Sequence, residues 1–144
     1  MSERASERTV RIDHVGLDVR DLDAQIGLSR AAFDLEVEWR ERLDTYDFTM
    51  VFLLHPSGWR LELFHRDEAT PSAALDPGTQ HDRLGYGHVA YTCWSADQVR
   101  AVHDRLVGLG AASHIPPSPS PAPERLFDYL VDPEGNLLEL VGRG

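Results

Sequence analysis

The chain has one cysteine, no run of basic residues and no apolar stretch close to the length of a membrane span, and each shortage removes a class of protein. With Cys93 alone, no intrachain disulfide can form, and the first residues lack the apolar core of a secretion signal. A reducing, cytoplasmic setting is therefore expected. The formal net charge is −10 and the basic residues are scattered, which argues against a phosphate-backbone partner such as nucleic acid and favours simple solubility. The apolar runs, such as Met50 to Leu54, fall far short of the ~20 residues that a membrane helix needs. At 144 residues the chain has the size of one domain with a substantial core.

What the chain does have is a repeat. His14-Val15 and Leu61-Glu62-Leu63 in the first half return as His88-Val89 and Leu138-Glu139-Leu140 in the second. The turn before each glutamate returns too, as His55-Pro56-Ser57-Gly58 and Asp132-Pro133-Glu134-Gly135. The histidines are 74 residues apart (88 minus 14) and the glutamates 77 (139 minus 62), too long a period for a solenoid and suited to a tandem half-domain. Two modules of a single domain spanning 10–142 are expected, at about 10–68 and 85–142, with a linker at about 69–84 containing Pro71, Pro77 and Gly78. Residues 1–9 are polar and unpatterned and read as a disordered leader.

Periodicity places these motifs on elements. Val10 to Val19 alternates as a strand, with Val15, Leu17 and Val19 on one face and Ile12, His14, Gly16 and Asp18 on the other. Asp21 can cap a helix that packs through Ala24, Leu28, Ala31 and Ala32, and strands follow near 36–43, 48–54 and 59–64. The second module reads likewise: strand 87–94, a helix over 95–109 capped by Ser95 and stopped by Gly110, and strands near 126–131 and 137–141. Each module is β-α-β-β-β. Proline and glycine in the two turns fix the register of the strands that follow, and a slip of one residue would carry both glutamates to the opposite face. In that register Leu61, Leu63, Leu138 and Leu140 pack under helices and leave Glu62 and Glu139 on the other side. The stretch 115–123 holds five prolines and is expected to be a surface loop, or alternatively a semi-rigid lid.

Two histidines and two carboxylates matched in pairs make a candidate metal site. On these motifs, and on Leu84-Gly85-Tyr86-Gly87-His88-Val89-Ala90, the chain resembles the vicinal oxygen chelate superfamily, which includes glyoxalase I, methylmalonyl-CoA epimerase, extradiol dioxygenases, fosfomycin-modifying enzymes and bleomycin-resistance proteins. The resemblance covers about residues 10–142. It implies an α+β fold in which tandem βαβββ modules form a cupped, partly closed mixed sheet with helices outside, and it implies a homodimer. It places His14, Glu62, His88 and Glu139 as ligands of one divalent ion, with Fe, Co, Ni, Mn or Zn suited to nitrogen and carboxylate donors.

The chemistry implied is proton transfer next to a chelated pair of vicinal oxygens on a small metabolite, by an isomerase, epimerase or lyase, with Glu139 as first choice of base and Glu62 as second. Phe64, Tyr86, Thr92, Trp94 and Arg66 are candidate substrate-binding residues. Glyoxalase I carries an arginine and an asparagine where this chain has Asp18 and Arg66; an aspartate there would repel glutathione, so a different substrate is expected. An extradiol-type dioxygenase and a non-catalytic antibiotic-binding protein are the alternatives. His55, His65, His81, His103 and His114 lack partners in the repeat and read as surface or loop residues, with His65 best placed to support a pocket. Cys93, opposite in parity to His88, reads as core.

Overall fold

Two sequence copies fold into two copies of one topology. The computed structural model describes residues 11–70, 78–79, 82 and 84–143, and the chain divides into units at 1–69 and 70–144. The first unit consists of β1 (His14–Asp18), α1 (Leu22–Phe33), β2 (Glu36–Leu43), β3 (Phe48–Leu54) and β4 (Arg60–His65). The second consists of β5 (Val89–Cys93), α2 (Ala96–Gly108), β6 (Ala112–Pro119), β7 (Arg125–Val131) and β8 (Leu137–Arg143). Each builds a four-stranded mixed sheet, in the orders β1-β4-β3-β2 and β5-β8-β7-β6. β1 and β5 run parallel to β4 and β8, and the remaining pairs are antiparallel. The fold is the α+β tandem that the repeat predicts.

Local chemistry sets the boundaries. Asp21 accepts from the Ala24 amide at 2.9 Å and Ser95 from the Gln98 amide at 3.2 Å, so each helix begins at a capping side chain. α1 buries Leu22, Ile26, Leu28, Ser29 and Ala32, whereas Ala24 and Ala31, expected to pack, are exposed; the contact stripe follows Leu22, Ile26 and Ser29 instead. β1 is shorter than the predicted 10–19. Its pairing starts at His14 because its partner, Arg60, is the first residue of β4, and Ile12 lies outside the ladder, exposed. β5 likewise begins at Val89, opposite Leu138, so His88 sits just before the strand.

Both proline turns close as expected. The Gly58 amide donates to the His55 carbonyl at 2.8 Å and the Gly135 amide to the Asp132 carbonyl at 2.9 Å, with the glycines at φ +99° and +88°. Asp132 Oδ1 also accepts from the amides of Glu134 and Asn136, while in the first turn His55 Nδ1 accepts from the Ser57 amide. Leu61, Leu63, Leu138 and Leu140 are buried on the helix side of the sheets. Cys93 is core, and burial raises its thiol pKa.

The proline-rich stretch corrects its expectation. Most of it is β6, an edge strand paired to β7 with register shifts between Ser113 and Ile115 and between Ile115 and Ser118. Prolines cannot donate to a ladder, yet an edge strand needs only one side paired, and the shifts accommodate the missing donors. The leader, Val10, His81 and much of the predicted linker lie outside the described residues.

Candidate metal centre

In the first unit, β1 and β4 run side by side with Gly16 opposite Glu62. Two residues earlier on the same face, His14 turns Nε2 to Glu62 Oε2 at 2.9 Å. Gly16 lies against this pair: a Cβ there would make ordinary contact with Glu62 Oε2 at 3.6 Å and Phe64 at 3.5 Å. The other ring nitrogen, Nδ1, lies 2.8 Å from Asp13 Oδ2. The Asp13 hydrogen bond, reinforced by the charge of Glu62, raises the pKa of His14, and the same bond lowers that of Asp13.

The second unit repeats the pair. His88 Nε2 lies 2.8 Å from Glu139 Oε2, with Ala90 standing opposite Glu139 where Gly16 stands opposite Glu62. Glu139 is the more accessible carboxylate, its side chain 17% exposed against 10% for Glu62. The described residues hold no cluster of three or more His, Cys, Asp or Glu side chains suited to one ion.

Each imidazole also meets an aromatic ring that the sequence reading passed over. His14 packs edge-on against Phe52 at 5.2 Å and His88 against Tyr129 at 5.0 Å. Phe52 stands across the ladder from Glu62 and Tyr129 across from Glu139. The two rings are 77 residues apart (129 minus 52), the spacing of the glutamates, and extending the repeat back from the glutamates by that period would have found them. Burial first, and then the charge of Glu139, pushes the Tyr129 hydroxyl pKa up.

The remaining candidates are spread more widely. Phe64 is half-buried beside Gly16 and edge-on to Phe48 at 5.3 Å. Arg66 stacks over Phe48 at 5.9 Å and donates to the carbonyls of Tyr46 at 2.7 Å and Asp47 at 3.2 Å, so its guanidinium is committed within its own unit. Tyr86 and Trp94 are fully exposed and lie outside β5, and Thr92 is exposed within it.

Two histidines need correction. His65 lies on the strand face opposite Glu62, its Nδ1 3.0 Å from the Val19 carbonyl and its Nε2 2.9 Å from Asp67, so it fastens the end of β1. His103, expected on the surface, is buried on α2, with Nδ1 2.6 Å from Asp128 Oδ2. Asp128 Oδ1 accepts from the Leu140 amide at 2.8 Å; burial nonetheless raises the Asp128 pKa against both hydrogen bonds.

Comparison with known proteins agrees with this architecture. The family model described as Glyoxalase/Bleomycin resistance protein/Dioxygenase superfamily matches residues 11–140. Among solved structures, a glyoxylase/bleomycin resistance protein/dioxygenase domain from Frankia sp. EAN1pec shares 23% identity, covering 94% of this chain and 93% of that one, with a TM-score of 0.76. The fosfomycin resistance protein FosX from Listeria monocytogenes, solved with Mn(II) and sulfate ion, shares 19% identity over 94% of each chain, with a TM-score of 0.65. Glyoxalase I from Zea mays shares 20% identity over 93% of this chain and 45% of the maize chain, with a TM-score of 0.73. At these identities the likeness establishes the fold. No curated protein matches the sequence. No described helix is long and apolar enough to cross a membrane.

Proposed function

The chain belongs to the Glyoxalase/Bleomycin resistance protein/Dioxygenase superfamily, and from that premise we propose that it is a divalent-metal-dependent enzyme of the glyoxalase type. It acts as an isomerase, epimerase or lyase, moving a proton next to a vicinal pair of oxygens on a small metabolite. The observation that carries this reading is the His–Glu pair built twice, at 2.9 Å in one unit and 2.8 Å in the other. Neighbouring donors on an octahedral ion with bonds of about 2.1 Å are about 3 Å apart, so each pair already has the separation of two adjacent ligands. Imidazole and carboxylate together suit Fe, Co, Ni, Mn or Zn, and the Listeria FosX structure holds Mn(II).

His14, Glu62, His88 and Glu139 are the ligands in this reading. An ion bound there would supply Lewis-acid stabilisation of the enolate oxygen of the substrate. The chain's own residues do the rest. Asp13 fixes the ring of His14 so that Nε2 faces Glu62. Phe52 and Tyr129 hold the two imidazole planes. Glu139, the more accessible carboxylate, takes the substrate proton on its free oxygen, and Glu62 is the second choice of base. Four ligands require two units, taken from one chain or from two copies in a homodimer; a metal-loaded protein that sediments as a monomer would require the first.

The test is elemental analysis of protein purified without added metal or a metal-binding tag, beside His14→Ala and Glu139→Ala variants shown to be folded. About one divalent ion per site, lost in both variants, is expected. A chain that holds none and takes up none of Fe, Co, Ni, Mn or Zn would sink the proposal and turn attention to antibiotic binding.

A further inference from the structure

The sheet face that carries Glu139 runs on to two arginines. Across β7 and β8 the partners are Tyr129 with Glu139, Phe127 with Val141, and Arg125 with Arg143. Burial alternates along both strands, which puts these six on the face turned from the core, and Phe127 packs edge-on to Tyr129 at 5.8 Å. Like charges placed directly opposite on an antiparallel pair repel each other. In a chain of net charge −10 a carboxylate partner is easy to supply, and Arg30, Arg40, Arg42, Arg60 and Arg100 each have one. Among the described residues, neither the Arg125 nor the Arg143 guanidinium has an ion-pair or hydrogen-bond partner. Both line a cleft of about 260 Å³ with Pro123 and Glu124.

The repeat sharpens the point. Stepping back 77 residues from Arg143 gives Arg66, and from Arg125 gives Phe48. In the first unit that pair is satisfied internally, the arginine stacked on the ring and bonded to two carbonyls. In the second unit the ring is replaced by another arginine, and neither cation has a partner among the described residues.

We propose that Arg125 and Arg143 form an oxyanion subsite, which holds a carboxylate or phosphate group of the ligand whose other end lies at Glu139. Four residues of β8, about 14 Å of strand, separate Glu139 from Arg143, with Phe127 and Val141 between. The ligand class is thus an acid with chelating oxygens at one end, an apolar middle and the anion at the other. The chelating end rests on the proposed function; the anion end rests on the arginines alone. Glu124 on the cleft wall weakens anion binding and favours a ligand presenting its full charge to the two guanidinium groups.

Inorganic phosphate and acetate, titrated separately into the metal-free full chain at low ionic strength, test this through the arginine Nε–Hε resonances. Arg125 and Arg143 are expected to shift together along one saturable curve, while Arg100, paired with Asp97, does not. Arg143→Gln should weaken the response of Arg125 at least about tenfold, and Glu124→Gln should strengthen it. Saturation by phosphate alone assigns a phosphate-bearing ligand and saturation by acetate alone a carboxylate, while saturation by both keeps the subsite for either anion. Equal, linear drift of all three arginines would overturn the subsite. A chain that saturates with phosphate but takes up no metal keeps the subsite and loses the proposed activity, and one that holds metal and ignores both anions loses the subsite alone.

Discussion

The two units agree around their His–Glu pairs and differ behind them, towards the helices. Towards the proposed ion, each keeps a histidine, a glutamate and an aromatic ring at matching positions. Towards the helix, the first unit places Ser29 and Val51 where the second places His103 and Asp128, at the same offsets of 74 and 77. Both arrangements are buried, but among the described residues Ser29 Oγ has no hydrogen-bond partner, whereas His103 and Asp128 form a closed polar pair that also holds the Leu140 amide. One scaffold therefore tolerates an apolar contact or a buried pair behind it, while the histidine, glutamate and aromatic ring in front have kept residue types and spacing together.

The largest break in that comparison is Asp128→Ala. It leaves a buried imidazole and the Leu140 amide without their acceptor, and a loss of about 3–5 kcal/mol is expected from denaturant unfolding. His103→Ser with Asp128→Val imports the first unit's solution and should recover most of it; a double variant as unstable as the single one would show that the two units are not interchangeable here.

Next is Gly142→Ala. A Cβ there would lie 2.6 Å from Val99 Cγ2 and 2.7 Å from the Ser95 carbonyl, so α2 must shift, at about 1–3 kcal/mol. The matching position in the first unit, His65, already bears a side chain, and His65→Ala should cost less. Equal thermal shifts would refute the idea that only the second helix start sits against its strand.

A smaller effect separates the units by pH. His65 has its pKa raised, chiefly by the Val19 carbonyl and then by Asp67, so its contribution is complete below its ordinary value near 6.5 and disappears as the pH climbs through the raised one. Asp67→Asn should flatten that dependence by at most about 1 kcal/mol, seen as stability curves converging at alkaline pH. Smallest is Asp13→Asn, which in metal-free protein should lower the pKa of His14, read from its Cε1 proton resonance. An unchanged His14 titration would remove Asp13 as the group that holds this ring.

Much of this was legible in the sequence, and the limits have physical reasons. The doubled motif is strong because strand register and turn chemistry act together: Gly58 and Gly135 pin the turns, and the leucines flanking each glutamate fix the face. β6 was not legible, since its prolines argue against a ladder unless the strand is known to be at an edge. His103 was missed because its partner Asp128 is 25 residues away and has no counterpart in the first unit, where the matching residue is Val51. Phe52 and Tyr129 keep the period of the glutamates but are not part of the ligand motif, so it does not point to them.

The prolines of β6 also govern how the molecule meets its neighbours. An unpaired strand normally offers a foreign chain a row of amide hydrogens to dock against, which is how sheets stack into aggregates. Pro116, Pro117 and Pro119 break that row in the later half of the strand at the rim of the second sheet. The opposite solution guards the first sheet, where β2 bristles with Glu36, Glu38, Arg40, Glu41 and Arg42 and is bent by an irregularity between Val37 and Trp39. One rim is short of donors and the other is electrically crowded, and each disfavours an incoming strand.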